Sequence, residues 1–222
     1  MKWIYKLERK FPNAGIRNLM TFIIIGQAMV AGVELLAPDI MISTFLRFSW
    51  GYILQGQVWR IFTFLFVPQG GTIIGVAITF YLYYFIGEQL EATWGTFRFN
   101  AYYWFGALGA IIAGILSHYL WFGAAGTNYY LHLSLYLAFA VLYPDVELLL
   151  FFVLPVKVKY LGMAAGAYLA LLFFMRSWPE KIAILFSIAN FLLFFGGSFF
   201  RKIKQELGYR KTRNAWRRAN RP

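Results

Sequence analysis

Between Met20 and Phe200 the chain alternates long apolar blocks with short polar breaks, and this pattern limits the fold more than any motif does. A helix rises about 1.5 Å per residue, so roughly 20 residues cross a hydrocarbon core of about 30 Å. Suitable blocks run from Met20 to Leu36, Gly71 to Ile86, Phe99 to Leu120, Tyr129 to Tyr143, Tyr160 to Met175 and Lys181 to Phe200, which makes six. The predicted fold class is therefore an all-α polytopic membrane bundle. The fourth block is short, as suits a helix enclosed by the others.

Composition supports lipid as the solvent. Apolar residues make up 60% of the chain and aromatic ones 21%, against 9 acidic side chains, more oil than a core of this size can hide. Cysteine is absent, so disulfides, thiolate catalysis and cysteine-based metal sites are excluded. His118 and His132 are the only imidazoles, too few for a histidine-rich metal centre, and no cofactor is expected. The first block follows a basic, amphipathic lead at residues 1–18 and ends without a convincing small-residue cleavage site, which reads as a retained span rather than a signal peptide. The expected organisation is a cytoplasmic segment at 1–18, a membrane domain at 19–200 and a basic tail at 201–222.

The formal charge of +12 falls mostly outside the apolar blocks, the distribution that sets membrane topology, so no nucleic-acid partner is expected. With a cytoplasmic N-terminus, 17 of the 21 Lys and Arg residues lie inside, and only Arg47, Arg60, Arg176 and Lys181 lie outside. Six spans return the tail, RKIKQELGYRKTRNAWRRANRP, to the cytoplasm, where it would fix topology on anionic lipid or meet a cytoplasmic partner. A plasma membrane is the expected location, and the short blocks with basic flanks suit a bacterial one.

Two connections carry signals of their own. Ala37 to Gln69 mixes aromatic and apolar residues with single charges, including Asp39, Arg47, Trp50 and the Trp59-Arg60 pair, which suits a segment at the membrane interface. Val146 to Lys159 reads VELLLFFVLPVKVK; Pro155 discourages a continuous helix, so a loop dipping into the interface is expected, with Lys157 and Lys159 at the headgroups.

Small residues recur at helical spacing in GALGAIIAG, from Gly106 to Gly114, and in GMAAG, from Gly162 to Gly166, and mark close helix contacts within the bundle of a monomer or weak oligomer. Glu88 and Glu91 precede Gly95 and Arg98. Glu91 is expected to pair with neighbours of Glu88 or, through the Gly95 turn, with Arg98, as a cap joining the second and third spans and not as an acid–base carboxylate pair. A nucleophilic serine needs a base within hydrogen-bond reach. Ser117 and His118 diverge on a helix, as do His132 and Ser134, so helix-to-helix hydrogen bonding or interfacial placement is expected of both histidines. Asn128 and Asn190 are the polar groups expected to bond across helices or to contact a docked helix. A transporter would call for inverted repeats and polar groups near the midplane, and neither is clear.

Three blocks in order, GQVWR at Gly56 to Arg60, YFIGEQLEATWGTFRF at Tyr84 to Phe99 and LYPDVELLLFFVLPVKVKYL at Leu142 to Leu161, resemble the rhomboid-like superfamily, which contains the rhomboid intramembrane serine proteases and the non-proteolytic derlins. Gln57, Trp59, Arg60, Gly87, Glu91, Trp94, Gly95 and Arg98 carry the likeness. The resemblance implies a six-helix bundle whose first loop packs on the third span, with Arg60 bonded to loop carbonyls and Trp59 at headgroup level. It places the family's oxyanion His and Asn at Gly75 and Thr79, its nucleophile near Thr127 to Tyr130 and its base within Lys181 to Phe191, where the chain has no corresponding residues. It thus implies a pseudoprotease that binds the transmembrane helices of clients between its second and fifth spans, for their quality control, retention or extraction. Proteolysis through an atypical serine, Ser134 or Ser187, is the enzymatic alternative.

Overall fold

The computed structural model describes residues 8–10, 14–37, 39–121, 126–150 and 154–196. Helix α1 (Leu19–Leu36) leads into a structured connection holding the short helices α2 (Ile42–Leu46), α3 (Trp50–Leu54) and α4 (Arg60–Thr63) and a 3-10 turn at Phe64–Phe66. Then come α5 (Ile73–Trp94), α6 (Thr96–Trp121), α7 (Tyr129–Leu142), strands β1 (Glu147–Leu150) and β2 (Leu154–Lys157), α8 (Val158–Met175) and α9 (Trp178–Gly196). Among the described residues, α1, α5, α6, α8 and α9 are long and apolar enough to cross a membrane, and α7 is a shorter apolar helix.

Enclosure of α7 follows the sequence expectation, since each of its residues is buried or half-buried. It packs against α5, α6 and α8, while α5 and α8 make little direct contact with each other. The main core lies where α5, α6 and α7 meet, with Ile86, Leu90, Phe99, Tyr102, Tyr103 and Phe139 fully buried. Large apolar side chains remain exposed around the outside, among them Phe22, Met29, Ile74, Tyr81, Met163 and Phe174, as a lipid solvent permits. Between lipid-solvated helices the driving force is close van der Waals packing, so small residues decide where helices cross. A Cβ on Gly87 of α5 would sit 2.4 Å from Cβ of Met20, which fixes the α1–α5 crossing.

Several expectations need correction. The second span, placed at Gly71 to Ile86, belongs to a helix that continues through Glu88 and Glu91 to Trp94, because charge ends the apolar run but not the helix. Gly95, at φ +80°, ends α5 and turns the chain directly into α6, which begins before Phe99. The expected interfacial loop at Val146 to Lys159 is instead an antiparallel hairpin, with Glu147 opposite Lys157 and Leu149 opposite Pro155. Both strands of a two-stranded sheet are edges, so a proline with no amide proton is tolerated there. Lys159 lies 3.8 Å from Asp145, an ion pair between exposed side chains. This hairpin also makes the all-α description incomplete.

The last span ends its described part at Gly196, and the basic tail from Arg201 lies outside the described residues. Residues 1–7 and 11–13 of the N-terminal segment are outside them as well.

Candidate functional site

Of the two ends of the bundle, one carries the connection from Ala37 to Thr72 and is called the loop face here; the other carries the Gly95 turn and the β-hairpin. On the loop face the Trp59-Arg60 pair proves structural. Arg60 is buried, donating from Nε to Oε1 of Gln57 at 2.7 Å and from Nη1 to the carbonyls of Thr44 and Arg47, each at 2.8 Å, with its guanidinium 4.8 Å from the centre of the Tyr52 ring. Three short helices leave several carbonyls without intrahelical partners, and one forked cation satisfies two of them. Trp59 is half-exposed beside it, its indole N–H directed at the carbonyl of Phe45 at 3.4 Å.

The loop locks onto the spans through contacts that the sequence did not announce. Phe48 fills the space over two glycines: a Cβ on Gly114 of α6 would lie 2.3 Å from its ring, and one on Gly126 would lie 2.2 Å from it. Gly114 therefore receives a loop side chain and not a neighbouring helix. Gln27, fully buried on α1, donates to the carbonyl of Leu65 at 2.8 Å. Asn128 donates to the carbonyls of Leu65 and Val67 at 3.1 and 2.9 Å, and its Oδ1 accepts from Nε2 of Gln69. Its role is thus to fasten the exit of the loop to the start of α7, with its amide fully engaged.

On the opposite face Glu91 caps the junction of three elements: Oε1 accepts from the Asn18 amide at 3.1 Å and from Oγ1 of Thr96 at 2.8 Å. The expected pairing with Arg98 is corrected, for Arg98 meets Glu8 at 2.7 Å. Asn100 completes the face, exchanging hydrogen bonds with Ile16 at 3.0 and 2.9 Å. Trp94 packs between Tyr102 of α6 and Phe195 of α9, with ring centroids 5.5 and 5.1 Å away.

Within the bundle, Gly106 is the meeting point of α6, α7 and α9, where a Cβ would lie 2.2 Å from Cδ1 of Leu131 and 2.9 Å from Nδ2 of Asn190. That Asn190 amide donates to the Tyr102 carbonyl at 3.2 Å, a contact across helices as expected. A Cβ on Gly162 would lie 2.4 Å from Cβ of Ala140, whereas one on Gly166 would meet nothing within 4 Å, so Gly166 marks no close helix contact. The serines are occupied. Ser134 donates to the carbonyl of Leu131 at 2.8 Å and accepts from the Tyr102 hydroxyl at 3.0 Å; Ser187 donates to the carbonyl of Tyr130 at 2.6 Å; Ser117 donates to the carbonyl of Ala113 at 2.6 Å. Thr79 donates back to the carbonyl of Gly75, one turn earlier in α5, at 2.7 Å.

His132 departs from expectation most. It is wholly buried on α7, its ring 4.5 Å from that of Tyr83 on α5, and neither nitrogen has a hydrogen-bond partner among the described residues. The helix-to-helix bond expected of it is not made. No cluster of three or more His, Cys, Asp or Glu that would hold a metal occurs among the described residues.

Spanning-length helices around an enclosed shorter one, with large apolar side chains on the outside and a connecting loop pinned by a buried arginine, define a polytopic integral membrane protein. The chain belongs to the DUF1751 family of eukaryotic integral membrane proteins, whose profile matches residues 17–205. That description lends no support to a bacterial membrane. No curated protein and no solved structure shows a significant match to the chain.

Proposed function

We propose that this chain is a non-proteolytic, rhomboid-like membrane protein that holds transmembrane helices of client proteins at the gap between α5 and α8 and assists their retention, quality control or extraction. The observation that carries the reading is the arrangement around α7, which packs on both α5 and α8 while those two scarcely touch. His132 of α7 is wholly buried against Tyr83 of α5, so a helix arriving from lipid would reach it only as the Tyr83 ring swings aside. A buried polar side chain with no partner is poorly solvated in such a bundle, and a polar residue on a client helix would supply the missing bond.

Support for the non-proteolytic part comes from how the polar groups are used. Asn128 is spent on the loop, and Ser134 and Ser187 donate to backbone carbonyls. In this reading the hairpin face lies in the cytoplasm of a plasma-membrane protein, with both termini inside, and the basic tail rests on anionic lipid or a cytoplasmic partner.

The test is fluorophosphonate labelling of the purified chain in liposomes, next to photocrosslinking of a transmembrane peptide with a polar residue at its centre. Crosslinking without labelling is the expected result. Labelling that disappears on Ser134→Ala or Ser187→Ala would replace the reading with an atypical protease.

A further inference from the structure

A second opening on the loop face differs from the α5–α8 gap in position and chemistry. α1 and α5 cross tightly at Met20 and Gly87, but towards the loop face the segment from Phe64 to Gly70 lies between them: Phe66 occupies the space beside Gly26, and Gln27 bonds to Leu65. The helices leave a groove of about 570 Å³, walled by Ala31 and Gly32 of α1 and by Val76, Ala77 and Phe80 of α5. That volume falls in the range of roughly 300–1,000 Å³ usual for ligand clefts. Gly32 and Gly71 border open space, since a Cβ on either would meet nothing within 4 Å.

The upper end of the groove carries one charge of each sign. Arg47 is exposed, and its guanidinium makes no ion pair or hydrogen bond among the described residues. Glu34 is half-buried; one carboxylate oxygen accepts from the Ser43 amide at 2.7 Å, which fixes its position and leaves the other oxygen open. The two line the same groove without pairing with each other. Unpaired opposite charges above an apolar slot complement a molecule with a phosphate, an ammonium and a hydrocarbon chain.

We infer that this groove is a binding site for a single zwitterionic phospholipid, with the phosphate on Arg47, the ammonium on Glu34 and one acyl chain between α1 and α5. A guanidinium matches a phosphate in two parallel hydrogen bonds, which a lone ammonium side chain cannot do. Half-exposed Trp59 on the same loop suits the headgroup depth at which such a lipid would lie.

Native mass spectrometry of the full chain in detergent, supplied with equal phosphatidylethanolamine and phosphatidylglycerol, tests the site. The expected result is one retained phosphatidylethanolamine in preference to phosphatidylglycerol. Arg47→Ala should lower that retention about tenfold, as the loss of one charge-assisted contact does. Gly32→Leu should lower it comparably by filling the slot, and it packs into open space, so the fold is preserved. Glu34→Gln should remove the preference between the two lipids. Undiminished retention by Gly32→Leu, or equal retention of both lipids by the unaltered chain, would overturn the inference.

Discussion

The ring of His132 lies 4.5 Å from that of Tyr83, tilted by 47°, and among the described residues no partner reaches either of its nitrogens. An unsatisfied buried polar group costs about 1–3 kcal/mol, so this contact lowers stability where a hydrocarbon pair would raise it. Substitution His132→Phe is therefore expected to leave thermal stability in detergent unchanged or higher, while reducing photocrosslinking to a client helix with a central polar residue. A variant that unfolds at lower temperature would mean that the histidine is a structural group after all.

Arg60→Ala is expected to destabilise the loop face. It removes a donor fork from the carbonyls of Thr44 and Arg47, and hydrogen bonds from a charged group contribute about 1.5–3 kcal/mol each, so a loss of about 3 kcal/mol is expected. Lysine at the same position should restore only part, because one ammonium cannot also replace the Nε donor that meets Gln57. Unfolding temperature and protease cleavage within residues 39–72 report the effect.

Glycine replacements should separate true contacts from bystanders. Gly106→Leu and Gly87→Leu drive a side chain into Leu131 and Met20, and overpacking of this kind costs about 1–3 kcal/mol or more. Gly166→Leu, which meets open space, should change unfolding by less than about 0.5 kcal/mol. The three measured side by side in one detergent make the comparison.

On the opposite face, Glu91→Ala should cost about 1–2 kcal/mol, because the amide of Asn18 and the hydroxyl of Thr96 both lose their acceptor. Arg98→Ala breaks an ion pair whose side chains are about one-third exposed, and is expected to cost no more than about 1 kcal/mol, a difference that shrinks as salt is raised. Unfolding at low and high ionic strength distinguishes the two.

Much of this was legible from local pattern. Apolar block length gave the spanning helices and glycine spacing marked Gly106 and Gly162, whereas the peg role of Arg60 came only from the family resemblance. Other features depend on what tertiary packing brings near. Nothing local distinguishes Gly166, which faces open space, from Gly162, which faces Ala140. The hairpin escaped notice because its apolar run, Leu148 to Leu154, shows no alternation and its proline argues only against a helix. Gln27 and Phe48 bind the loop through partners 38 and more residues away, a relationship that no periodicity reports. The isolation of His132 and the gap between α5 and α8 likewise appear only once the helices are placed.

The central claim concerns where a client helix sits. A photoreactive residue placed in turn at each exposed position of α5 and α8, and at Phe22 of α1 and Phe105 of α6 for comparison, tests it with a client helix in liposomes. Crosslinks confined to neighbouring positions of α5 and α8, weakened by His132→Phe, are the expected result. Equal crosslinking from Phe22 and Phe105, or none from α5 and α8, would contradict it.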